Sequence, residues 1–440
     1  MAGRDVFNYF TNPPTGSRDN KLVISGTLDA NGTEFTAKQV AKSLTGIVNE
    51  VVVTTVDDFP IPLDGVIYLA DKTAYLIDGD VSIGENRIVC ADNNAIYGLS
   101  PEISILHSTL DTEAMITSQQ SITCYSVSFY VAGTNASILD LDATLSPDAN
   151  NAIDWQFVNF LGGHLGNIIE YSNIVMSTIG LIDRTDEGFP ALGDGFFFGG
   201  STSSIVFTDS LFTIDGSSNS AVTLSASLTL LRRFRATDCA LIVTNAAIGL
   251  DLVVGATIDP EGLMLIDCNF AGGGTYLNNI DYTDDRARFE GCRGIQNTYA
   301  AAQLTMTANA VATTAVLNTP IKIAGDTTGQ AITQKFDVAT IDNRAVYNGA
   351  LSRLSKITAI LSLTSGNNND VAVYIAKNGV VIGASTTALT TSAGGRLDNA
   401  TCQTLSALAT DDYFEVWVEN KTATVNITVE ELSLVITEIG

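Results

Sequence analysis

Residues 228–243 read LTLLRRFRATDCALIV, residues 263–274 read LMLIDCNFAGGG, and residues 287–297 read ARFEGCRGIQN. Each is a short apolar run that stops at a polar corner followed by cysteine. The corners are Asp238-Cys239, Asp267-Cys268 and Gly291-Cys292, spaced 29 and 24 residues apart. Traced backwards, the pattern continues through Asp209-Ser210, Asp183-Arg184 and Asn159-Phe160, at spacings of 29, 26 and 24. A repeat of this length, one strand and one corner per unit, is the signature of a stacked solenoid. A single unit cannot bury its own apolar face, so each must lie on the next. The runs are rich in β-branched and aromatic residues and lack helical periodicity, which makes the solenoid a β-helix rather than a helical repeat.

Composition agrees. Of 440 residues, 45% are hydrophobic and 16% charged. That is too apolar for disorder, and no run of about 18 apolar residues exists to cross a membrane as a helix. Forty-eight acidic against 22 basic residues leave a net charge of -26. Such a surface repels nucleic acid, because phosphate binding needs clustered cations. One basic cluster, Arg232, Arg233 and Arg235, falls inside a repeat and reads as solvated outward side chains.

The first ten residues, MAGRDVFNYF, lack the apolar core of a secretory signal. Residues 1–50 differ in character from the rest of the chain. Phe7, Tyr9 and Phe10 stand among turn residues, which suits an arm that docks on another protein, and they are the candidate anchoring residues. Residues 33–44, TEFTAKQVAKSL, carry Phe35, Val40 and Leu44 at roughly helical spacing, with Asn31 or Thr33 as N-cap. This predicts a short helix that covers the open end of the solenoid, docks on a partner, or does both.

From residue 51 short strands alternate with turn signals. The stretches VDDFPIPLD (56–64), GVIYLADKTAY (65–75) and GENRIV (84–89) resemble the opening rungs of tailed-phage spike and fibre proteins. The resemblance covers residues 51–298 and implies a right-handed parallel β-helix. Within it, residues 185–200 hold Phe189, Phe196, Phe197 and Phe198 among glycines. They read as aromatics packed on the solenoid or a neighbouring subunit, with a sugar-stacking platform as the other reading.

Residues 299–325 read as a linker strand into a new domain. Asn378-Gly379 between alternating apolar runs predicts a tight hairpin. In YFEVWVEN (413–420), Phe414, Val416 and Val418 share one face, and Tyr413, Glu415, Trp417 and Glu419 the other. Together with LSALATDD (405–412), these stretches resemble the trimeric jelly roll of the tumour necrosis factor and complement type, found at the tips of phage fibres. This chain has Thr410-Asp411-Asp412 where those domains often show Gly-Asp. The resemblance implies a threefold assembly, with Tyr413 and Trp417 as candidate trimer-interface residues. The expected organisation is therefore an all-β chain with an N-terminal arm and capping helix (1–50), a parallel β-helix (51–298), and a linker strand with a jelly-roll trimerisation domain (299–440).

Glycan cleavage by spikes of this kind needs a carboxylic acid and a base or nucleophile about 5–10 Å apart. Asp183, Asp186, Glu187 and Asp194 form one candidate cluster, and Asp281, Asp284, Asp285 and Glu290 another. Both fall in predicted turns, where Asp bonds the local backbone. Asp78-Gly79-Asp80 and Asp140-Leu141-Asp142 are too few oxygens for calcium. No catalytic, cofactor or metal residue is expected.

The resemblance thus implies a phage virion protein: a homotrimeric tail spike or fibre for host attachment, without enzymatic activity. Two alternatives are a capsid decoration protein and a polysaccharide depolymerase tailspike. The expected partners are two further copies, other virion proteins through residues 1–50, and a host-surface glycan or protein, with no nucleic acid and no membrane insertion. The expected location is the virion surface, tail or capsid, after synthesis in the host cytoplasm.

The six cysteines, Cys90, Cys124, Cys239, Cys268, Cys292 and Cys402, show no zinc-type spacing, and three share one repeat position. Thiol titration of denatured protein without reductant should therefore count all six; a lower count would reveal a disulfide.

Overall fold

The structure, a computed structural model, describes residues 28–30, 33–35 and 47–439, apart from 134, 147–150, 183–188, 217–218, 281–283, 331–332 and 339–342. It divides into two compact units, one formed mainly by residues up to 296 and the other mainly by residues from 297 onward.

The first unit is a parallel β-solenoid with one sheet of seventeen strands and one of nine. The nine-stranded sheet takes one strand from each rung, including Val66–Tyr68, Arg87–Cys90, Ala114–Ser118, Ser137–Asp142, His164–Ile169 and Phe196–Gly199. Every pairing between these neighbours is parallel.

The corners of the larger sheet set the register. Ser128, Asn159, Gly180, Leu211, Ala240, Asn269 and Arg293 pair in succession, each with the next. Two residues before each lies a corner in the left-handed region: Ser126, Phe157, Thr178, Asp209, Asp238, Asp267 and Gly291, with φ between 50° and 64°. Each rung turns there, and the corner N–H reaches across to the next rung. Asp209 donates to the Thr237 carbonyl, Asp238 to Ile266 and Asp267 to Glu290, at 2.8–3.1 Å. The Asp238, Asp267 and Gly291 corners therefore stack as the repeat requires.

The residue after each corner points inward. Val127, Val158, Ile179, Ser210, Cys239 and Cys268 are all buried. Toward the C-terminal end of the column the apolar side chain is replaced by one with a donor. Ser210 Oγ donates to the Thr208 carbonyl (2.9 Å), and Cys239 Sγ (3.3 Å) and Cys268 Sγ (3.5 Å) donate to the carbonyls two residues before them. Cysteine here is both a small core residue and a weak hydrogen-bond donor. All six cysteines are free thiols.

The interior is filled by aromatic rings stacked from rung to rung. Phe129, Phe160, Phe196, Phe207 and Phe234 form a continuous line with centroid separations of 5.5–6.0 Å. Each buries its side chain almost completely, which stabilises the fold by about 1.5–3 kcal/mol per ring. Phe196 and Phe198 belong to this core, so the packing reading holds for both, while Phe197 between them faces out.

Three sequence expectations are corrected. The early corners fall at Phe157 and Thr178 rather than Asn159 and Asp183, because neither residue type advertises a left-handed turn. Thr33–Phe35, the start of the predicted helix, is a strand paired antiparallel with Leu28–Ala30; three residues of which two favour strand outweigh the sparse apolar spacing. The rest of that stretch, and Phe7, Tyr9 and Phe10, lie outside the described residues. The strand Ala301–Met306 is no linker: it pairs antiparallel with the last strand, Ile427–Glu438, inside the second unit.

That unit holds two antiparallel sheets of six and seven strands. Their inner faces share one core, with Ile357, Leu361 and Leu434 from one sheet and Val373, Phe414 and Val416 from the other. Asn378 (φ 52°) and Gly379 (φ 73°) form the two-residue turn between Asp370–Lys377 and Val380–Val381.

A β-branched residue in the left-handed region is strained, by about 1–2 kcal/mol. Thr178 is the one such residue in the corner column. Thr178→Asn should raise stability by roughly 1 kcal/mol, since Asn tolerates this conformation. A denaturation midpoint that falls would show that the corner carries no strain.

Candidate active site

Along the strand Ser137–Asp142 the side chains alternate. Ile138, Leu139 and Leu141 are buried, whereas Asp140 is exposed and Asp142 half-exposed. The two carboxylates therefore leave the same outward face. Their Cα atoms are held about 6.5–7 Å apart by the rise of the strand.

They line an open cleft of about 490 Å³ together with Thr117, Gln119, Gln120 and parts of Val89, Cys90 and Ser118. The cleft lies where the strands Arg87–Cys90, Ala114–Ser118 and Ser137–Asp142 end side by side. In register, Thr117 is the neighbour of Asp140.

The corner at residues 118–120 is fixed from behind. Ser118 Oγ donates to the Gln120 carbonyl (2.9 Å) and accepts from the Gln120 N–H (3.1 Å). The buried Tyr171 hydroxyl lies 3.1 Å from the Ser118 carbonyl and 3.0 Å from that of Gln120, sharing its hydrogen between them. Asn151 Nδ2 donates to the Gln119 carbonyl at 3.1 Å. With the backbone of this corner satisfied, the amides of Gln119 and Gln120 remain at the cleft wall. Burial raises the Tyr171 phenol above its ordinary value, so it stays a neutral donor at physiological pH. Asp142 is also held: its Oδ1 accepts from the Thr144 N–H at 2.9 Å and from the Thr144 hydroxyl.

The arrangement offers two carboxylates at fixed spacing, two amides and a hydroxyl on a rigid surface open to solvent. No group of three or more His, Cys, Asp or Glu side chains that could hold a metal ion occurs among the described residues.

Three described members of the clusters singled out in the sequence are bonded instead. Asp194 Oδ1 accepts from the Ser220 N–H (3.1 Å), while its own N–H donates to His164 Nδ1 (3.0 Å). Asp284 pairs with Arg286 at 2.7 Å. Burial pushes its carboxyl up, but the Arg286 hydrogen bonds and charge outweigh that and hold it below the ordinary carboxylate value. Asp285 meets the buried Lys335 at 3.3 Å. Asp183, Asp186, Glu187 and Asp281 lie outside the described residues. Asp80 faces His107 at 3.2 Å, and that imidazole stacks on Tyr130, whose ring meets the edge of Phe189. Arg232 and Arg233 are exposed as expected.

In the second unit, Glu415 is buried and bonded to Lys322 (2.9 Å), Arg344 (2.6 Å) and Trp417 Nε1 (3.1 Å). Arg344 also lies over the Tyr413 ring at 4.4 Å. Tyr413 and Trp417 are thus half-buried within the chain itself.

No protein-family model and no curated protein matches the chain. Among solved structures it is similar to the enzymatically active domain of tailspike protein 4 of bacteriophage CBA120. The identity is 10%, over 86% of this chain and 69% of that one, with a TM-score of 0.21. It is also similar to a tailspike of Acinetobacter baumannii bacteriophage Fri1, described as a capsular polysaccharide depolymerase, at 8% identity over 85% and 82% of the two chains and a TM-score of 0.20. Eiger, a tumour necrosis factor of S. frugiperda, matches at 10% identity over 32% of this chain and 93% of its own, with a TM-score of 0.21.

The expectation of a protein without enzymatic activity is corrected here. Two of these structures are, by name, an enzymatically active domain and a depolymerase. The turn reading of the two acidic clusters stands for Asp194, Asp284 and Asp285; Asp140 and Asp142, weighed only as a calcium pair, stand on a strand face in an open cleft. The sequence signal was the alternation in SILDLD itself, which marks one-sided carboxylates.

Proposed function

We propose that this chain is a phage tailspike that binds and cleaves a host-surface polysaccharide, with Asp140 and Asp142 as the reacting pair. The observation that carries this reading is their placement two residues apart on one strand, inside the cleft. Side chains that leave one strand face from Cα atoms about 6.5–7 Å apart can set their carboxyl groups on either side of one water, as inverting hydrolysis requires. Asp142, oriented by Thr144, takes a proton from that water as it attacks the anomeric carbon. Asp140 is placed to hand a proton to the departing glycosidic oxygen. One C–O bond forms, one breaks, and water is consumed. Thr117 and the Gln119 and Gln120 amides are positioned to bond sugar hydroxyls.

The reading is tested on envelope polysaccharide from a susceptible host. Reducing ends should appear with the wild-type protein and fall at least a hundredfold in both Asp140→Asn and Asp142→Asn. Unchanged release by either variant would sink the assignment.

The second unit is proposed to be a jelly roll that joins three copies, giving several weak glycan sites per spike and so raising avidity. Tyr413 and Trp417 are already covered by Arg344 and Glu415. The proposed contact therefore moves to the other sheet, where Leu354, Ile360 and Leu405 are 48%, 52% and 61% exposed. Sedimentation should give three times the chain mass of 46.4 kDa, falling to one chain with Leu405→Asp. A wild-type monomer, or a trimer unaffected by Leu405→Asp, argues against this face.

A further inference from the structure

The outward residues of the nine-stranded sheet form one column in register, running along the solenoid. Tyr68 leads through Val89 to Thr117, and Thr117 to Asp140. Asp140 leads to Asn167, Asn167 to Phe197, and Phe197 through Thr223 to Asp251.

Two members are large and exposed: Tyr68 at 54% and Phe197 at 37%. They stand on opposite sides of Asp140. At about 4.8 Å per rung, Phe197 is about 10 Å from it and Tyr68 about 14 Å on the other side. The nine strands contain one Lys or Arg, Arg87, which is paired with Glu113 at 3.5 Å. They contain three carboxylates: Asp140, Asp142 and Asp251.

We infer that this column is an extended track for a linear glycan that is neutral or carries amino groups, with Phe197 and Tyr68 as its stacking subsites. The inference rests on the cleavage reading above and adds a substrate class and its recognition. The occupant is set by three features. A β-linked pyranose chain advances by nearly the rung spacing per sugar, so one sugar lies over each rung. Exposed aromatic faces take the apolar C–H face of a pyranose ring, and the amides and hydroxyls between them take its hydroxyls. Charge decides the class: a uronic-acid polymer would lie along carboxylates with no free cation on these strands to meet it, and the surrounding net charge of -26 would repel it further.

The experiment is binding of the full chain to a printed array of bacterial surface glycans, using wild type, Phe197→Ala and Tyr68→Ala. Circular dichroism confirms that each variant is folded. The wild-type protein should retain neutral or amino-bearing glycans. Phe197→Ala should lose at least tenfold in affinity and Tyr68→Ala should lose severalfold. Retention of acidic glycans, full-strength binding by Phe197→Ala, or no glycan retained above a denatured control overturns the track. The two proposals fail separately. Binding that depends on Phe197 without any release of reducing ends defeats cleavage and leaves the track. Cleavage by Phe197→Ala at unchanged KM defeats the track and leaves cleavage.

Discussion

The seven left-handed corners stacked from Ser126 to Gly291 hold the solenoid in register. A parallel strand can slide along its neighbour at little cost in hydrogen bonds, but a slip of one residue turns every side chain to the opposite face. The corners remove that freedom. Each is a conformation L-residues rarely adopt, and the corner N–H must find a carbonyl on the next rung. With the corner fixed, the next residue points inward and the rest of the rung follows: Phe129 and Phe160 lie three residues past their corners, Phe207 two and Phe234 four residues before theirs. The outward column of the nine-stranded sheet is set by the same register.

This explains which parts of the fold the sequence displays. Asp and Gly are the residues expected in left-handed corners, so Asp209, Asp238, Asp267 and Gly291 could be read directly. Phe157 and Thr178 carry no such signal. At Phe157 the surroundings supply what the residue lacks, because its ring packs edge-on against Tyr125 at 5.7 Å. The nearest Asp or Asn before Asp209 therefore falls off the true column. The Asn378-Gly379 hairpin and the two faces of Tyr413–Asn420 were legible for a related reason: both are fixed by residues within one turn or one strand.

The cleft was visible only in part. Asp140 and Asp142 stand out as a pair, and strand alternation places them on one face. Nothing in that short stretch indicates that the corner at residues 118–120, from the preceding rung, opens beside them. Nor does it indicate that Tyr171 and Asn151, from later rungs, hold that corner. These contacts span 32 to 53 residues, and the uneven rung lengths hide them from any fixed period.

The contrast between this pair and the acidic clusters in turns is mechanical. Asp284 and Asp285 have Arg286 and Lys335 against them, and Asp194 is tied to the Ser220 N–H. A carboxylate in a turn has neighbours free to bend toward it, and a cation placed against it neutralises its charge; Asp142 meets only the uncharged N–H and hydroxyl of Thr144. A strand in the middle of a sheet cannot bend in this way. Its pleat fixes the distance between residues i and i+2, and its neighbours across the ladder are whatever the register supplies, here Thr117 and Asn167 beside Asp140. Neither neighbour carries a charge that could neutralise it. The rigidity that the corner column imposes on the solenoid therefore keeps two carboxylates at a set spacing, unneutralised and open to a substrate, which a flexible loop of the same composition would not do.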